Sequence, residues 1–387
     1  MTLHEGYIEL GELIKAGAIL AIQDGNHGEK HPKASDYVDD GISFVMANDL
    51  NTGSLILENT TKIPESLADN LRIGFALSGD VLLTHKGTIG NTAVVPDVSP
   101  YIMLTPQVTY YRVNPEILSN YYLMYCFREV GFQKVMSSLA QQSTRPYIGI
   151  TAQRKLKIFY RKIDDQERIL KKIKPYDDLI NNNRRRIFLL EESARLLYKE
   201  WFVHLRFPGH EHVAINDGVP QGWGKDKIGD FLTLNYGKAL KADDRVDGVF
   251  PVYGSSGVVG NHHKNLVAGP GIIVGRKGNV GAVYWSQKDF WPIDTVYFIS
   301  STQSSLYLYY ALQYARFINT DVAVPGLNRD MAYSRKLLRP AEIVLNAFLE
   351  EVQPIRAQIE KLQEYNVKLE SARDLLLPRL MNGDITV

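Results

Sequence analysis

Two long segments of the chain carry large apolar residues at alternating spacings of three and four positions. The first series runs from Ile173 to Trp201 and the second from Leu345 to Leu380. Such spacing over several heptads is typical of helices that pair along a coiled-coil seam. A helix of about 40 residues would be about 60 Å long, which exceeds what a small domain needs for its own core. We therefore predict two long spacer helices.

An asparagine interrupts the apolar seam near the middle of each series. In an antiparallel pairing that sets Ile180 opposite Leu369, Asn183 faces Asn366 and Tyr176 faces Arg373. A buried amide without a partner costs on the order of 1–3 kcal/mol, whereas two facing amides can satisfy each other. We predict that the two asparagines lie side by side and fix the register of the helices.

Outside these helices the pattern changes to short β-rich runs separated by Gly, Asn and Pro turns. GISFVMA, DVLLTHKG and VTYYRV are examples from the first half. Each half then has an aromatic stretch of helical length, YYLMYCFREVGFQKVM or SLYLYYALQYARFI. This pattern predicts one small α+β domain in residues 1–160 and another in 207–340, with spacer helices in 161–206 and 341–387.

Matching segments occur in the same order in the two halves. Glu-Ser-Ala-Arg stands at 192–195 and again at 370–373, and IKPYDDLI resembles VQPIRAQI. Further upstream, VLLTHKGTIGNTAVV resembles GIIVGRKGNVGAVY. Such matches indicate a duplicated architecture. The predicted fold class is α+β, with two similar small domains separated and joined by two long antiparallel coiled-coil helices in a pseudo-two-fold internal repeat.

The composition is that of a globular protein. Of 387 residues, 45% are hydrophobic and 22% are charged. No apolar run approaches the roughly 18 residues of a membrane-spanning helix, and the first residues lack a secretory signal pattern. The single cysteine, Cys126, lies in an aromatic run that is typical of a core. These features predict a cytoplasmic protein without membrane contact.

The charge distribution limits where nucleic acid could bind. The net charge of +1 does not indicate a surface that is basic throughout. Residues 1–160 carry 13 basic and 16 acidic side chains, whereas 161–206 carry 12 and 8. A DNA-binding surface would therefore be one local face of the protein.

Motifs that support catalysis are absent from the sequence. It contains no GxxxxGK[ST], GxGxxG, HExxH or paired CxxC, and no Asn/Asp-Pro-Pro-aromatic tetrapeptide of an adenine methyltransferase. The histidines of PGHEH (208–212) and the pair His262-His263 are more consistent with exposed loops than with a metal site. We predict neither catalytic residues nor a metal site in this chain.

Residues suited to contacting a DNA duplex occur in a few polar segments. The turns THKGTIGN and GRKGNVGA combine a lysine with glycines that let the backbone approach phosphates, and Arg and Asn can pair with guanine and adenine edges. The predicted DNA-binding residues are Asn26, His27, Lys30, Lys86, Thr88, Ser143, Thr144, Arg145, Tyr253, Ser255, Ser256, Arg276, Lys277, Asn279, Asn328 and Arg329. The alternative interpretation is that these are ordinary hairpin turns and surface loops with solvated side chains.

Several segments resemble the specificity subunits of type I restriction-modification systems. These are the tandem arrangement, DGNHGEKHP, the linker LYKEWFVHLRFPGHEH with VPQGWGKDKIGDF, and the closing ESARDLLLPRLMNGDI. The resemblance extends over essentially the whole chain. One departure is the start of the second long helix, PAEIVLNAF, which differs from the DDQER type of the first.

The resemblance implies a non-catalytic subunit with two target-recognition domains, each reading one half of a bipartite site in double-stranded DNA. It implies that the helices dock two methylation subunits, which bring S-adenosylmethionine, and that restriction and translocase subunits with ATP and Mg join for cleavage. The chain itself would bind no cofactor. The alternatives are a stand-alone sequence-specific DNA-binding regulator, and an enzyme that methylates or cuts alone, which the missing motifs disfavour.

Overall fold

The structure, a computed structural model, describes residues 3–27, 30–51, 54–141, 147–315, 317 and 326–385. The chain divides into two units. Unit 1 comprises Met1–Arg184 and Glu364–Val387, and unit 2 comprises Arg185–Gln363. Each unit therefore contains one mixed α and β domain together with part of each long helix.

Most helices are short, but two are far longer. In chain order the helices are α1 (Leu10–Lys15), α2 (Glu65–Ala68), α3 (Asn120–Arg128), α4 (Val130–Gln141), α5 (Ile150–Gln153), α6 (Ile163–Tyr198), α7 (Leu306–Tyr314), α8 (Arg329–Ser334) and α9 (Glu342–Met381). Helices α6 and α9 coincide with the two segments of heptad spacing. The prediction of two long helices is confirmed.

Unit 1 contains two four-stranded sheets. Its strands are β1 (Gly6–Glu9), β2 (Ile19–Asp24), β3 (Ile42–Val45), β4 (Leu50–Asn51), β5 (Ser54–Leu55), β6 (Lys62–Ile63), β7 (Phe75–Ala76), β8 (Val81–Lys86), β9 (Thr88–Val94), β10 (Ile102–Leu104), β11 (Val108–Val113) and β12 (Lys157–Tyr160). One sheet is antiparallel, in the order β2-β11-β8-β9. The other has the order β6-β3-β10-β7, with β3 and β10 parallel.

Unit 2 repeats this topology. Its strands are β13 (Ile215–Asn216), β14 (Val219–Pro220), β15 (Gly224–Lys227), β16 (Asn235–Tyr236), β17 (Phe250–Gly254), β18 (Gly257–His262), β19 (Gly271–Gly275), β20 (Val283–Ser286), β21 (Trp291–Pro292), β22 (Val296–Ile299) and β23 (Lys336–Arg339). The order β16-β22-β19-β20 matches β2-β11-β8-β9, and β18-β17-β21 matches β6-β3-β10, again with one parallel pair. The predicted internal repeat is confirmed.

In each unit the long helices complete the core of the mixed domain. The aromatic run of α3 is buried against the β2-β11-β8-β9 sheet, and the same cluster includes Ile173 of α6 and Leu380 of α9. In unit 2 the cluster includes Ala194 of α6 and Val352 of α9. Burial of this apolar surface holds the helices on their domains. Cys126 is part of the first cluster, as expected, and burial raises the pKa of its thiol.

The helix seam of unit 1 contains the expected asparagine pair. Asn183 Nδ2 donates to Asn366 Oδ1 over 2.9 Å. About two helical turns along the seam, Arg373 Nη1 donates to Asp177 Oδ1 over 2.6 Å. Positions along α9 fall as positions along α6 rise, so the two helices run antiparallel within unit 1.

Arg373 binds the residue next to its expected partner, Tyr176. Its guanidinium donates to Asp177, which also accepts hydrogen bonds from Arg128 Nη1 and Tyr125 OH, each over 2.7 Å. The carboxylate offsets the cost of burying the guanidinium charge.

Candidate nucleic-acid interface

In unit 1 the predicted lysine turn lies beside a second predicted segment. Lys86 and Thr88 are exposed and face each other across Gly87, whose φ of 77° favours glycine. The backbone of Lys86 forms a bridge with Tyr147, and Ile148 N donates to His85 O over 3.0 Å. Ser143, Thr144 and Arg145, which precede this segment, lie outside the described residues.

Unit 2 builds the same arrangement. Lys277 and Asn279 are exposed on either side of Gly278, which has a φ of 79°. Lys277 forms a bridge with Gly326, and Leu327 N donates to Arg276 O over 2.8 Å. The structure thus brings the turn together with Gly326 and Leu327 of the VPGLNRD segment, as it does the turn with Tyr147 and Ile148 of TRPYIG in unit 1.

A short helix starts at the end of each segment. Asn328 is the N-cap of α8, and its side-chain oxygen accepts from Asp330 N over 2.8 Å. In unit 1 the N-cap of α5 is Gly149. Because Ile148 and Leu327 make equivalent bonds, Arg329 is equivalent to Ile150 and not to Arg145. Similar sequence signals therefore place their arginines at different points of the repeat.

A second turn of the backbone is shared by the units and was not found in the sequence. Gly25 N donates to Val108 O, and Gly237 N donates to Val296 O at the equivalent strand ends. A Cβ on Gly25 would lie 2.0 Å from a carbonyl oxygen, and so would a Cβ on Gly237. Only glycine fits there. The signal that could have revealed it is a glycine directly after a short β run, in DGN and in YGK.

The first predicted loop is partly structural. Asn26 is only 5% exposed, and its Nδ2 donates to Lys30 O over 3.3 Å. Its amide closes the loop from inside, and a contact of Asn26 with DNA stays a prediction. His27 and Lys30 are exposed, and their DNA contacts stay a prediction.

The hairpin between β17 and β18 contains a second buried candidate. Tyr253 is only 8% exposed and packs with Val267, Ile273 and Phe290, so its ring supports the core. A contact of Tyr253 with DNA stays a prediction. Ser256 is exposed and Ser255 half-buried. A Cβ on Gly278 would lie 3.0 Å from Ser255 Oγ, which places this hairpin next to the Lys277 turn.

Equivalent positions beneath the two lysine turns carry different chemistry. In unit 1, Thr109 of β11 pairs with Asp24 and Leu83. In unit 2, Tyr297 of β22 pairs with Tyr236 and Val274. The residues equivalent to Asp24, His85 and Thr109 are therefore Tyr236, Arg276 and Tyr297.

The unit 1 positions form a buried polar network. Asp24 Oδ1 accepts from Thr109 Oγ1 over 2.6 Å and lies 3.5 Å from His85 Nε2. Gln153 Nε2 donates to Thr109 Oγ1 and to Ile148 O, over 3.0 and 2.8 Å. Burial lowers the pKa of His85, and so its ring is neutral at pH 7. The network anchors the turn without adding positive charge to it.

The unit 2 positions form a surface cluster of arginine and tyrosine. The guanidinium carbons of Arg276 and Arg329 lie 5.3 and 5.1 Å from the centre of the Tyr236 ring. Below it, Tyr297 OH donates to Leu327 O over 3.1 Å, and burial raises the pKa of Tyr297 to about 12. Such stacking fixes the plane of a guanidinium.

Within residues 3–385, apart from the gaps given above, no three His, Cys, Asp or Glu side chains are grouped to hold a metal ion. Over the same residues, no helix is both long and apolar enough to cross a membrane.

Comparisons with known proteins identify the family. The family model "Type I restriction modification DNA specificity domain" matches residues 9–192 and 220–329, which is more than half of the chain. The chain belongs to this family of type I restriction-modification specificity subunits.

Individual relatives agree with this membership. The type I restriction enzyme MjaIX specificity subunit of Methanocaldococcus jannaschii is 22% identical over 92% of this chain and 89% of its own length. The MjaVIII specificity subunit of the same organism is 22% identical over 48% of this chain and 43% of its own. The crystal structure of a type I S subunit from M. genitalium is similar in fold, with a TM-score of 0.53, 15% identity and coverage of 98% and 96%. As a specificity subunit, the chain is the DNA-recognition component of its system and is not itself an enzyme.

Proposed function

We propose that each unit of this specificity subunit reads one half of a bipartite site in double-stranded DNA. The observation that carries the proposal is the repeated pair of an exposed lysine turn and a short helix start, with different side chains at equivalent positions in the two units. A shared backbone frame suits contact with the regular phosphate backbone, and different side chains suit different base sequences.

An exchange of one domain tests this proposal. Residues 207–340 are replaced by the corresponding segment of a related specificity subunit, and methylated motifs are sequenced in cells that contain the methylation subunits. The expected result is a change in one half of the motif. A control exchange of residues 1–160 should change the other half, and a change in both halves after either exchange would contradict separate reading.

The proposal extends to the partner subunits. The parts of α6 and α9 in each unit would dock one methylation subunit, giving two copies that supply S-adenosylmethionine. Restriction and translocase subunits would supply ATP hydrolysis and Mg, and this chain would hold no cofactor. The complex would act in the cytoplasm, where its DNA lies.

Copurification tests the assembly. The tagged chain is purified from its native host, and the proposal expects two methylation subunits per copy. Purification of a stable, sequence-specific DNA binder without partners would favour a stand-alone regulator instead.

A further inference from the structure

An exposed tyrosine of unit 2 holds two of the arginines predicted to contact DNA. Tyr236, the last residue of β16, is 52% exposed. Arg276 and Arg329 both lie over its ring. The ring also contacts Tyr297 beneath it, with ring centres 5.1 Å apart.

The two arginines differ in the contacts that their guanidinium groups make within the protein. Arg276 Nη2 donates to Asp294 O over 2.7 Å, and its Nε is buried, so this guanidinium is anchored in the protein. Arg329 opens α8, where it lies over Tyr236 and also over Tyr333, at 5.9 Å. Two aromatic rings thus contact the guanidinium of Arg329, whose N–H donors lie along the edge of its plane.

The fold does not require this cluster. Unit 1 builds the same turn with Asp24 at the position of Tyr236 and His85 at that of Arg276. There Asp24 accepts a buried hydrogen bond from Thr109 and is 9% exposed, and the ring of His85 is buried. An exposed tyrosine with two cations is therefore particular to unit 2, and a feature that one copy does without points to specificity.

We propose that Tyr236 is a positioning residue that presents Arg329 to a guanine in the half-site read by unit 2. An oriented guanidinium edge matches the O6 and N7 acceptors of guanine in the major groove. Arg276, which is bound to Asp294 O, contacts the same Tyr236 ring and supports it. This inference rests on the proposed function, because it requires unit 2 to read DNA.

The test compares base preference among four variants of the full chain in complex with its methylation subunits. The probe is a pool of duplexes with randomised sequence, and bound molecules are sequenced. The variants are Tyr236→Phe, Tyr236→Leu, Arg329→Lys and, as a control, Tyr314→Leu, which alters another exposed tyrosine of unit 2. Melting temperatures show whether each variant is folded.

We expect a guanine in the unit 2 half-site of the unaltered chain. Arg329→Lys keeps the charge but loses the planar fork, so the preference for guanine should fall about tenfold or more. Tyr236→Leu should produce a similar loss, and Tyr236→Phe should retain the preference because the ring remains. Tyr314→Leu should leave both half-sites unchanged.

Other outcomes overturn the inference. If Tyr236→Leu weakens binding to all sequences equally, the tyrosine is only structural. If Arg329→Lys preserves the guanine preference, Arg329 contacts phosphate. If the unit 2 half-site, assigned by exchange of residues 207–340, contains no guanine, this inference fails while the proposed function stands. If the unaltered complex selects no bipartite sequence, the proposed function itself fails.

Discussion

The amide of Asn183 donates a hydrogen bond to the amide oxygen of Asn366, and both side chains are buried in the helix seam, at 4% and 7% exposure. Asn366 Nδ2 in turn points to Ile180 O at 3.5 Å. The seam beside this pair includes the buried apolar side chain of Ile180. A shift of α9 by one heptad would separate the two amides. It would set Asn183 opposite Ile359 and Asn366 opposite Tyr176, or Asn183 opposite Arg373 and Asn366 opposite Leu190.

We expect the asparagine pair to fix the alignment of α6 and α9 at some cost in stability. Either single change to Leu should lower the free energy of unfolding by about 1–3 kcal/mol, because it leaves the other amide without its partner. Changing both to Leu should raise stability above that of the single variants and of the unaltered chain, yet widen the range of spacer lengths accepted in the DNA site. Denaturation and binding to duplexes of graded spacer length measure the two effects. Unaltered spacer discrimination in the double variant would show that the pair does not set the register.

Asp177 links α3, α6 and α9 in unit 1, since it accepts from Tyr125, Arg128 and Arg373. We expect Asp177→Asn to destabilise unit 1 by about 3–5 kcal/mol, because two guanidinium groups lose their buried counter-charge. Chemical denaturation measures the loss. Asp178→Asn, an exposed neighbour, is the control and should change little. If Asp177→Asn lowers the free energy of unfolding by less than about 1 kcal/mol, the guanidinium groups of Arg128 and Arg373 become solvated in the variant.

The stabilising contribution of Asp177 should depend on pH. Burial disfavours its ionisation, but Arg128, Tyr125 and Arg373 outweigh burial and lower the pKa of Asp177 below its ordinary value. A lowered pKa contributes stability above the ordinary value near 3.8, and that contribution is lost as pH falls through the lower folded value. The difference in unfolding free energy between Asp177→Asn and the unaltered chain should therefore shrink only in strong acid.

Sequence periodicity was sufficient for the long helices and their register, because a seam residue recurs at fixed spacing and Asn183 and Asn366 break it once each. The repeat was also visible, since turns that need glycine, such as Gly87 and Gly278, preserve their sequence. Tyr236 was missed for the opposite reason. Its counterpart is Asp24, and two residues of unlike chemistry give no signal of equivalence until strand pairing aligns them.

Two of the predicted DNA-binding residues have buried side chains. Asn26 and Tyr253 both lie in polar, glycine-containing stretches, which are typical of exposed loops. Their side chains turn inward, where Asn26 closes its loop and Tyr253 fills a cluster with Phe290. The direction of a loop side chain depends on tertiary contacts, and short-range sequence patterns do not contain them.

The paired lysines should act as phosphate contacts. Lys86 and Lys277 occupy the same exposed turn position in the two units. Replacing either by Ala should weaken binding to specific and nonspecific duplexes alike and reduce the slope of log affinity against log salt by about 1. Affinity measured over a salt series tests this, with Lys225→Ala, an exposed lysine on β15, as the control. An unchanged slope would place the turn lysines in solvent.

The buried ring of His85 lies 3.5 Å from Asp24. Two descriptions of this contact predict opposite pH dependence. If the ring is neutral because burial lowers its pKa, the unfolded chain binds more protons than the folded one just below pH 6.5. Stability then falls on acidification, by up to about 1.4 kcal/mol per pH unit. If His85 were instead a charged partner of Asp24, its pKa would be raised and acidification through the same range would add stability.

Amide hydrogen exchange in β8 and β11, corrected for the intrinsic pH dependence of exchange, measures this locally. We expect the opening free energy of these strands to fall in the unaltered chain as the pH is lowered below 6.5. In His85→Gln the opening free energy should vary much less over the same range. His4→Gln, an exposed histidine of the same unit, should behave as the unaltered chain does. Because Asp177 loses its contribution only below its ordinary pKa near 3.8, the two effects are separated along the pH axis. Greater protection of β8 on acidification would show that His85 is charged in the folded state and that the turn carrying Lys86 is supported by an ion pair.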